Sequence, residues 1–175
     1  MSMPASTALL IIDVQQALFT RPVPIYRAEQ LLANINALTV RARAAGAAAV
    51  YVQHGNASFL AEGTQGWQLH PALQPEPGDL RIGKRHGSAF EDTPLGAELA
   101  ARGVRRVAAA GLVPHGCVRA TCLDALRLGY AVTLASDAHS SYSKDAAALV
   151  EEWNGRLAEA GAQVQPAAEI VFAGL

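Results

Sequence analysis

The stretch AGLVPHGCVRATCLDALRLGY, residues 110–130, decides the fold. It begins where an apolar run, RRVAAAG (105–111), comes to an end. Such a short, nearly continuous run reads as a strand buried on both faces. It ends in an amphipathic helix, 117–129, stopped by Gly129. Pro114, His115, Gly116 and Cys117 lie at the junction. A strand that turns into a helix is the start of a β-α-β unit, and the same alternation runs outward in both directions.

Upstream, ALLIID (8–13) is an apolar strand ending in an acid. Residues 27–45 place Leu31, Leu32, Ile35 and Leu38 at helical spacing, with Gly46 as a stop. AAAVYVQH (47–54) and LRIGK (80–84) are further strands, and TPLGAELAARG (93–103) is a helix with Thr93 as N-cap, Pro94 at its first position and Gly103 at its end. Residues 55–79 have no long periodic segment, so they form a loop. At that length the loop is expected to be functional, as a lid, a substrate wall or a subunit contact. Downstream come a strand at 131–138, a helix at 144–161 and a last strand or tail within 162–172.

This alternation predicts an α/β fold: a three-layer α/β/α, doubly wound, parallel six-stranded sheet in the order 3-2-1-4-5-6. One domain spans residues 1–175, a length that suits a single core. Strands 1 and 4 then meet at the switch point, where ligands bind beyond the carboxyl ends.

Composition narrows the class. Hydrophobic residues make up 51% and charged residues 17%, which is globular. The net charge of -1 and the lack of a Lys/Arg block argue against nucleic acid or an anionic membrane as partner. No run approaches the roughly 18–20 apolar residues of a membrane span. The first residues, MSMPASTALLIID, resemble no signal peptide, so a cytoplasmic location is expected. Two cysteines, Cys117 and Cys122, do not make a disulfide framework. Five residues along a helix turn about 500°, so the two side chains diverge by about 140°. Cys122 reads as a small core residue.

Three polar residues stand at strand ends on one edge of the expected sheet. Asp13 ends strand 1, Lys84 ends strand 3 and Cys117 follows strand 4. A helix N-terminus and a nearby ammonium both favour a thiolate, so Cys117 is expected to have a lowered pKa. Gly116 lets a neighbour approach closely. A buried Asp13 needs a partner, and Lys84 has the right charge. Lys84 has to reach across about 10 Å, two strand spacings of about 4.8 Å.

These residues sit in LLIIDVQQALF (9–19), GTQGWQLHPAL (63–73), GKRHGSAFEDTPL (83–95), the quoted stretch and VTLASDAHSS (132–141). In that order they resemble the isochorismatase-like cysteine hydrolases over most of the chain. The resemblance implies an Asp-Lys-Cys triad of Asp13, Lys84 and Cys117. It implies hydrolysis of a C–N bond in a small amide or carbamoyl compound through a covalent intermediate, without a cofactor. HGCVRAT is closest to the carbamoyl-amide branch, such as N-carbamoylsarcosine amidases. The family likeness also implies a non-proline cis peptide at Leu112–Val113, although Pro114 offers a rival at Val113–Pro114. The backbone N–H groups of Val113 and Cys117 would then form an oxyanion hole.

Phe19, Phe59, Trp67 and Phe90 are candidate pocket walls, and His115 and Arg119 candidate substrate contacts, Arg119 for a carboxylate. The acid-histidine cluster of nicotinamidases is missing after strand 2, where His54 is the only histidine, so no metal is expected. The expected partner is a small-molecule substrate, and the family resemblance adds a homo-oligomer, dimer or tetramer. Two other readings are a vinyl-ether hydrolase and a non-enzymatic binding or thiol-sensing domain.

Overall fold

A computed structural model describes residues 6–172. It contains strands β1 (Ser6–Ile12), β2 (Ala48–His54), β3 (Leu80–Lys84), β4 (Val104–Leu112), β5 (Ala131–Ser140) and β6 (Gln163–Gln165). They form one sheet in the order β3-β2-β1-β4-β5-β6, parallel at every pairing. This is the order expected from the alternation of elements. The helices are α1 (Ala28–Ala44), α2 (Leu95–Ala101), α3 (Arg119–Arg127) and α4 (Ala146–Glu159).

All seven residues of β1 are buried, because helices cover both faces of the central strands. Leu9 and Ile11 face one core with Leu31, Ile35 and Leu38 of α1. Leu10 and Ile12 face the other, with Leu95 and Leu99 of α2, Cys122 and Ala125 of α3, and Leu157 of α4. Each such aliphatic side chain contributes about 1.5–3 kcal/mol when fully buried. Arg41 ties the end of the chain to α1 by donating to the carbonyls of Ala167, Ala168 and Ile170.

Several boundaries differ from the expected ones, and one of them matters for the site. Helix α3 begins at Arg119, so Cys117 lies before it, in an irregular turn over Pro114–Val118. Gly116 breaks helical geometry there with φ -117° and ψ -112°. In α2 the helix starts at Leu95, and the Thr93 hydroxyl accepts the Leu95 amide at 3.3 Å. The last strand is only three residues long. No helix among the described residues is long and apolar enough to cross a membrane.

The two central strands pair to their carboxyl ends, where Ile12 lies against Gly111. Gly111 has φ 125°, and a Cβ there would lie 2.1 Å from the Ile12 carbonyl oxygen. Only glycine fits that position. The close approach sets Asp13, the next residue after β1, against the turn that carries Cys117.

Candidate active site

Asp13 leaves β1 with φ 54°, in the left-handed region that Asp tolerates better than most residues. Its amide still donates to the Val52 carbonyl at 3.0 Å, so the turn is held by the sheet. Lys84 is the last residue of β3 and pairs in register with His54, the last of β2. Its side chain is fully buried and spans the gap to β1. Its Nζ lies 3.1 Å from Asp13 Oδ2 and 3.2 Å from Cys117 Sγ. The same ammonium reaches His54 Nδ1 at 2.9 Å and the His86 carbonyl at 3.1 Å. The three expected residues are thus brought together around one cation.

The electrostatics correct one expectation. Burial is the main influence on Cys117 and pushes its thiol up to about 12, with the Asp13 charge adding to the rise and Lys84 opposing it. The sulfur is therefore a neutral thiol near pH 7. The helix terminus does not lower its pKa as expected, because α3 begins two residues later and the sulfur is desolvated beside a carboxylate. Burial also raises the Asp13 carboxyl, against the pull of Lys84. Asp13 Oδ1 is enclosed and has no hydrogen-bond partner among the described residues. A carboxylate oxygen of Asp13, a ring nitrogen of His54 and Cys117 Sγ lie within 4.8 Å of one another. Those donors could suit a divalent metal, but the Lys84 ammonium already contacts all three. A pair with one proton between thiol and carboxylate can pass that proton across when the sulfur attacks. Iodoacetamide should therefore alkylate Cys117 slowly at pH 7, at a rate that keeps rising about tenfold per pH unit through the ordinary thiol range near 8.5 without levelling off. A rate that levels off near pH 8.5 would show an unperturbed thiol instead.

The Leu112–Val113 peptide is cis, and Val113–Pro114 is not. The Val113 carbonyl accepts the Gly116 and Val118 amides and so closes the turn, whereas the Val113 N–H has no acceptor among the described residues. Beside this turn is a cavity of about 190 Å³ that holds Asp13, His54, Val113 and Cys117. Its walls are Leu18, Leu60, Leu112, Phe59 and Tyr142, with Asn56 at one side. It is smaller than the roughly 300–1,000 Å³ of pockets for drug-sized ligands. Arg21 lies over the rings of Phe59 and Tyr142, 4.5 and 5.3 Å from their centroids. A larger hollow, about 500 Å³, lies at the opposite edge of the sheet beside Thr7, Arg106 and Gln163, and no Cys, His or Lys lines it.

The 55–79 loop thus supplies part of the cavity wall. Of the aromatic candidates, Phe59 lines the cavity and the others do not. Phe19 packs on His70, with ring centroids 4.4 Å apart, and Phe90 packs on Tyr130. Trp67 lines a neighbouring hollow behind Lys84. His115 is exposed on the turn, and Arg119 lies over the Trp153 ring, on the α4 side of the helix. Neither lines the cavity. Sequence reasoning considered His54 only as a metal ligand. The signal that marked Asp13, a polar residue at the carboxyl end of a buried strand, marks His54 equally. Leu18, Leu60 and Tyr142 carry no such signal.

Gln15 holds His54 in place. Its fully buried side chain accepts the His54 amide at 2.9 Å and donates to the carbonyls of His54 and Trp67 at 3.0 and 2.9 Å. A Gln15→Leu variant would strand two backbone groups, the His54 amide and carbonyl, since the Trp67 carbonyl still accepts from Gln53 Nε2 at 3.1 Å; the cost is about 1–3 kcal/mol for each that water cannot reach. Its melting temperature is expected to fall by about 5–10 °C, since 1 kcal/mol is about 2–4 °C at this size. An unchanged melting temperature would show that water replaces the amide.

The isochorismatase domain model matches residues 7–169. Streptothricin hydrolase from Streptomyces noursei is 39% identical over 142 residues, which cover 80% of this chain and 51% of that protein. The chain therefore spans about half the length of that relative. A ureidoacrylate amidohydrolase from Agrobacterium fabrum is 28% identical, covering 77% of this chain and 76% of that protein. Among solved structures, an isochorismatase from Pseudomonas putida superposes with a TM-score of 0.86 at 27% identity, over 97% of this chain and 94% of that one. The N-carbamoylsarcosine amidase from Thermoplasma acidophilum shares the fold, with a TM-score of 0.80 at 23% identity, over 94% of this chain and 98% of that one.

Proposed function

The chain belongs to the isochorismatase family, and we propose that it is a cysteine-dependent amidohydrolase. It cleaves a C–N bond of a small amide or carbamoyl compound through a thioester on Cys117. One observation carries this reading: a buried ammonium joins Asp13 to Cys117, while the second Asp13 oxygen has no hydrogen-bond partner among the described residues. That is a nucleophile beside a base whose charge is held by a third group. The streptothricin and ureidoacrylate hydrolases among its relatives support the reaction class.

The proposed steps use these contacts. Asp13 takes the thiol proton as Cys117 Sγ bonds to the substrate carbonyl carbon. Lys84 stays an ammonium and stabilises whichever of the two carries the negative charge. The oxyanion forms against the N–H groups of Val113 and Cys117. Asp13 then gives its proton to the leaving nitrogen, the C–N bond breaks and the amine departs, leaving a thioester. Water attacks that carbonyl, Asp13 takes the water proton, and the C–S bond breaks. The acid leaves, and Asp13 returns the proton to sulfur.

The test is the intact mass of the protein during incubation with a panel of small amides, ureides and carbamoyl compounds. An adduct on the wild type that is absent from Cys117→Ala, at the mass of an acyl or carbamoyl group, is the expected result. Neither adduct nor turnover with any member would overturn the reading.

A further inference from the structure

Lys84 has more hydrogen-bond partners than protons. Its ammonium has three N–H donors and no acceptor. Four acceptors surround it: Asp13 Oδ2, the His86 carbonyl, Cys117 Sγ and His54 Nδ1, the last being the shortest contact at 2.9 Å. An N–H on His54 Nδ1 would point a donor at a donor. Nδ1 is therefore bare, and the neutral ring carries its hydrogen on Nε2. Burial and the Lys84 charge both hold the ring neutral, against the Asp13 charge and the His86 backbone. Nε2 has no hydrogen-bond partner among the described residues, yet it is not among the enclosed polar atoms that lack one. His54 lines the cavity that holds Cys117, and one of its ring nitrogens lies within 4.8 Å of Sγ.

We propose that Lys84 locks His54 as a neutral Nε2–H donor and that this donor binds an oxygen of the substrate. Strand β2 lies on the opposite side of β1 from β4. His54 therefore serves a different part of the substrate from the Val113 and Cys117 amides. The substrate class it selects is an amide with a second oxygen acceptor beyond the scissile carbonyl, such as a ureide or an imide. The identification of a scissile amide rests on the hydrolase reading; the tautomer does not.

Two measurements test it. Nitrogen-15 NMR of wild-type protein labelled at histidine should place the His54 proton on Nε2, with Nδ1 unprotonated. A proton on Nδ1 overturns the proposal. The second measurement compares alkylation of Cys117 by iodoacetylurea, which carries a second carbonyl, with alkylation by iodoacetamide, which does not. The ratio of the two rates cancels any change in thiol acidity. In His54→Leu it is expected to fall about tenfold, the size of one lost hydrogen bond to a ligand. An unchanged ratio overturns the proposal. If the tautomer and the ratio behave as expected while no amide is turned over, the donor stands and the hydrolase reading fails.

Discussion

Cys117→Ala is expected to lower kcat/KM at least about 10⁴-fold on any substrate that gives an adduct with the wild type. Loss of the nucleophile in a hydrolase that works through a covalent intermediate costs that much or more, because the remaining groups act on it as a unit. Here Asp13 would lose the proton it moves, and Lys84 would lose one of the anions it steadies. Cys117→Ser is expected to fall with it, since a hydroxyl is harder to ionise than a thiol and this position already resists ionisation. Cys122→Ala is the control. Cys122 is buried between α3 and the sheet, 1% exposed, and does not line the cavity described above. It should keep its activity and lose some stability. Steady-state rates for the three variants decide the matter. Turnover by Cys117→Ala within tenfold of wild type would leave no place for a thioester.

Lys84→Met is expected to reduce kcat/KM by about 10³-fold or more and to change how both activity and stability respond to pH. Among the described residues Lys84 is the only ammonium in contact with Asp13, and both side chains are almost wholly buried. Burial already raises the Asp13 carboxyl, and Lys84 is the largest influence opposing it. Without that charge the carboxyl rises further. Asp13 has to be ionised to accept the thiol proton, so the acid limb of the kcat/KM profile should move to higher pH. Stability takes the same sign. A carboxyl with a raised folded pKa contributes stability that is fully present below its unfolded value, about 3.9, and is lost as pH rises through the folded value. The variant should therefore be more stable to urea at pH 5 than at pH 8. Breaking a buried ion pair costs about 3–5 kcal/mol when the remaining charge is uncompensated. Protonation of Asp13 would spare the variant part of that cost at pH 5. Urea melts at the two pH values measure this directly. An acid limb and a pH-stability difference equal to those of the wild type would mean that Lys84 does not set the charge of Asp13.

The element pattern was legible because its causes are local. Apolar runs such as ALLIID and RRVAAAG have no polar face, which leaves them only the middle of a covered sheet. Glycines such as Gly46 and Gly129 stop helices wherever they fall, so boundaries were readable to within a few residues. Part of the site was legible for the same reason. In a parallel sheet all strands end on one edge, so Asp13, Lys84 and Cys117 had to share it. His54 shares it too, and reading it only as a metal ligand hid it. Arg119 and His115 were candidates because they stand beside Cys117 in the chain, yet neither lines the cavity that holds it.

The alternation of elements and the edge on which the polar strand ends gather were legible from the chain, since periodicity and turn chemistry act over a few residues; the sheet order followed as the common one for that alternation. The protonation of the site belongs to the folded neighbourhood. The Cys117 thiol is raised because of what encloses it, and Leu18, Leu60 and Tyr142 reach its cavity from distant parts of the chain. The His54 tautomer depends on a lysine that crosses from the neighbouring strand. Desolvation and charge are properties of a neighbourhood, and residues far apart in the chain become neighbours only when it folds.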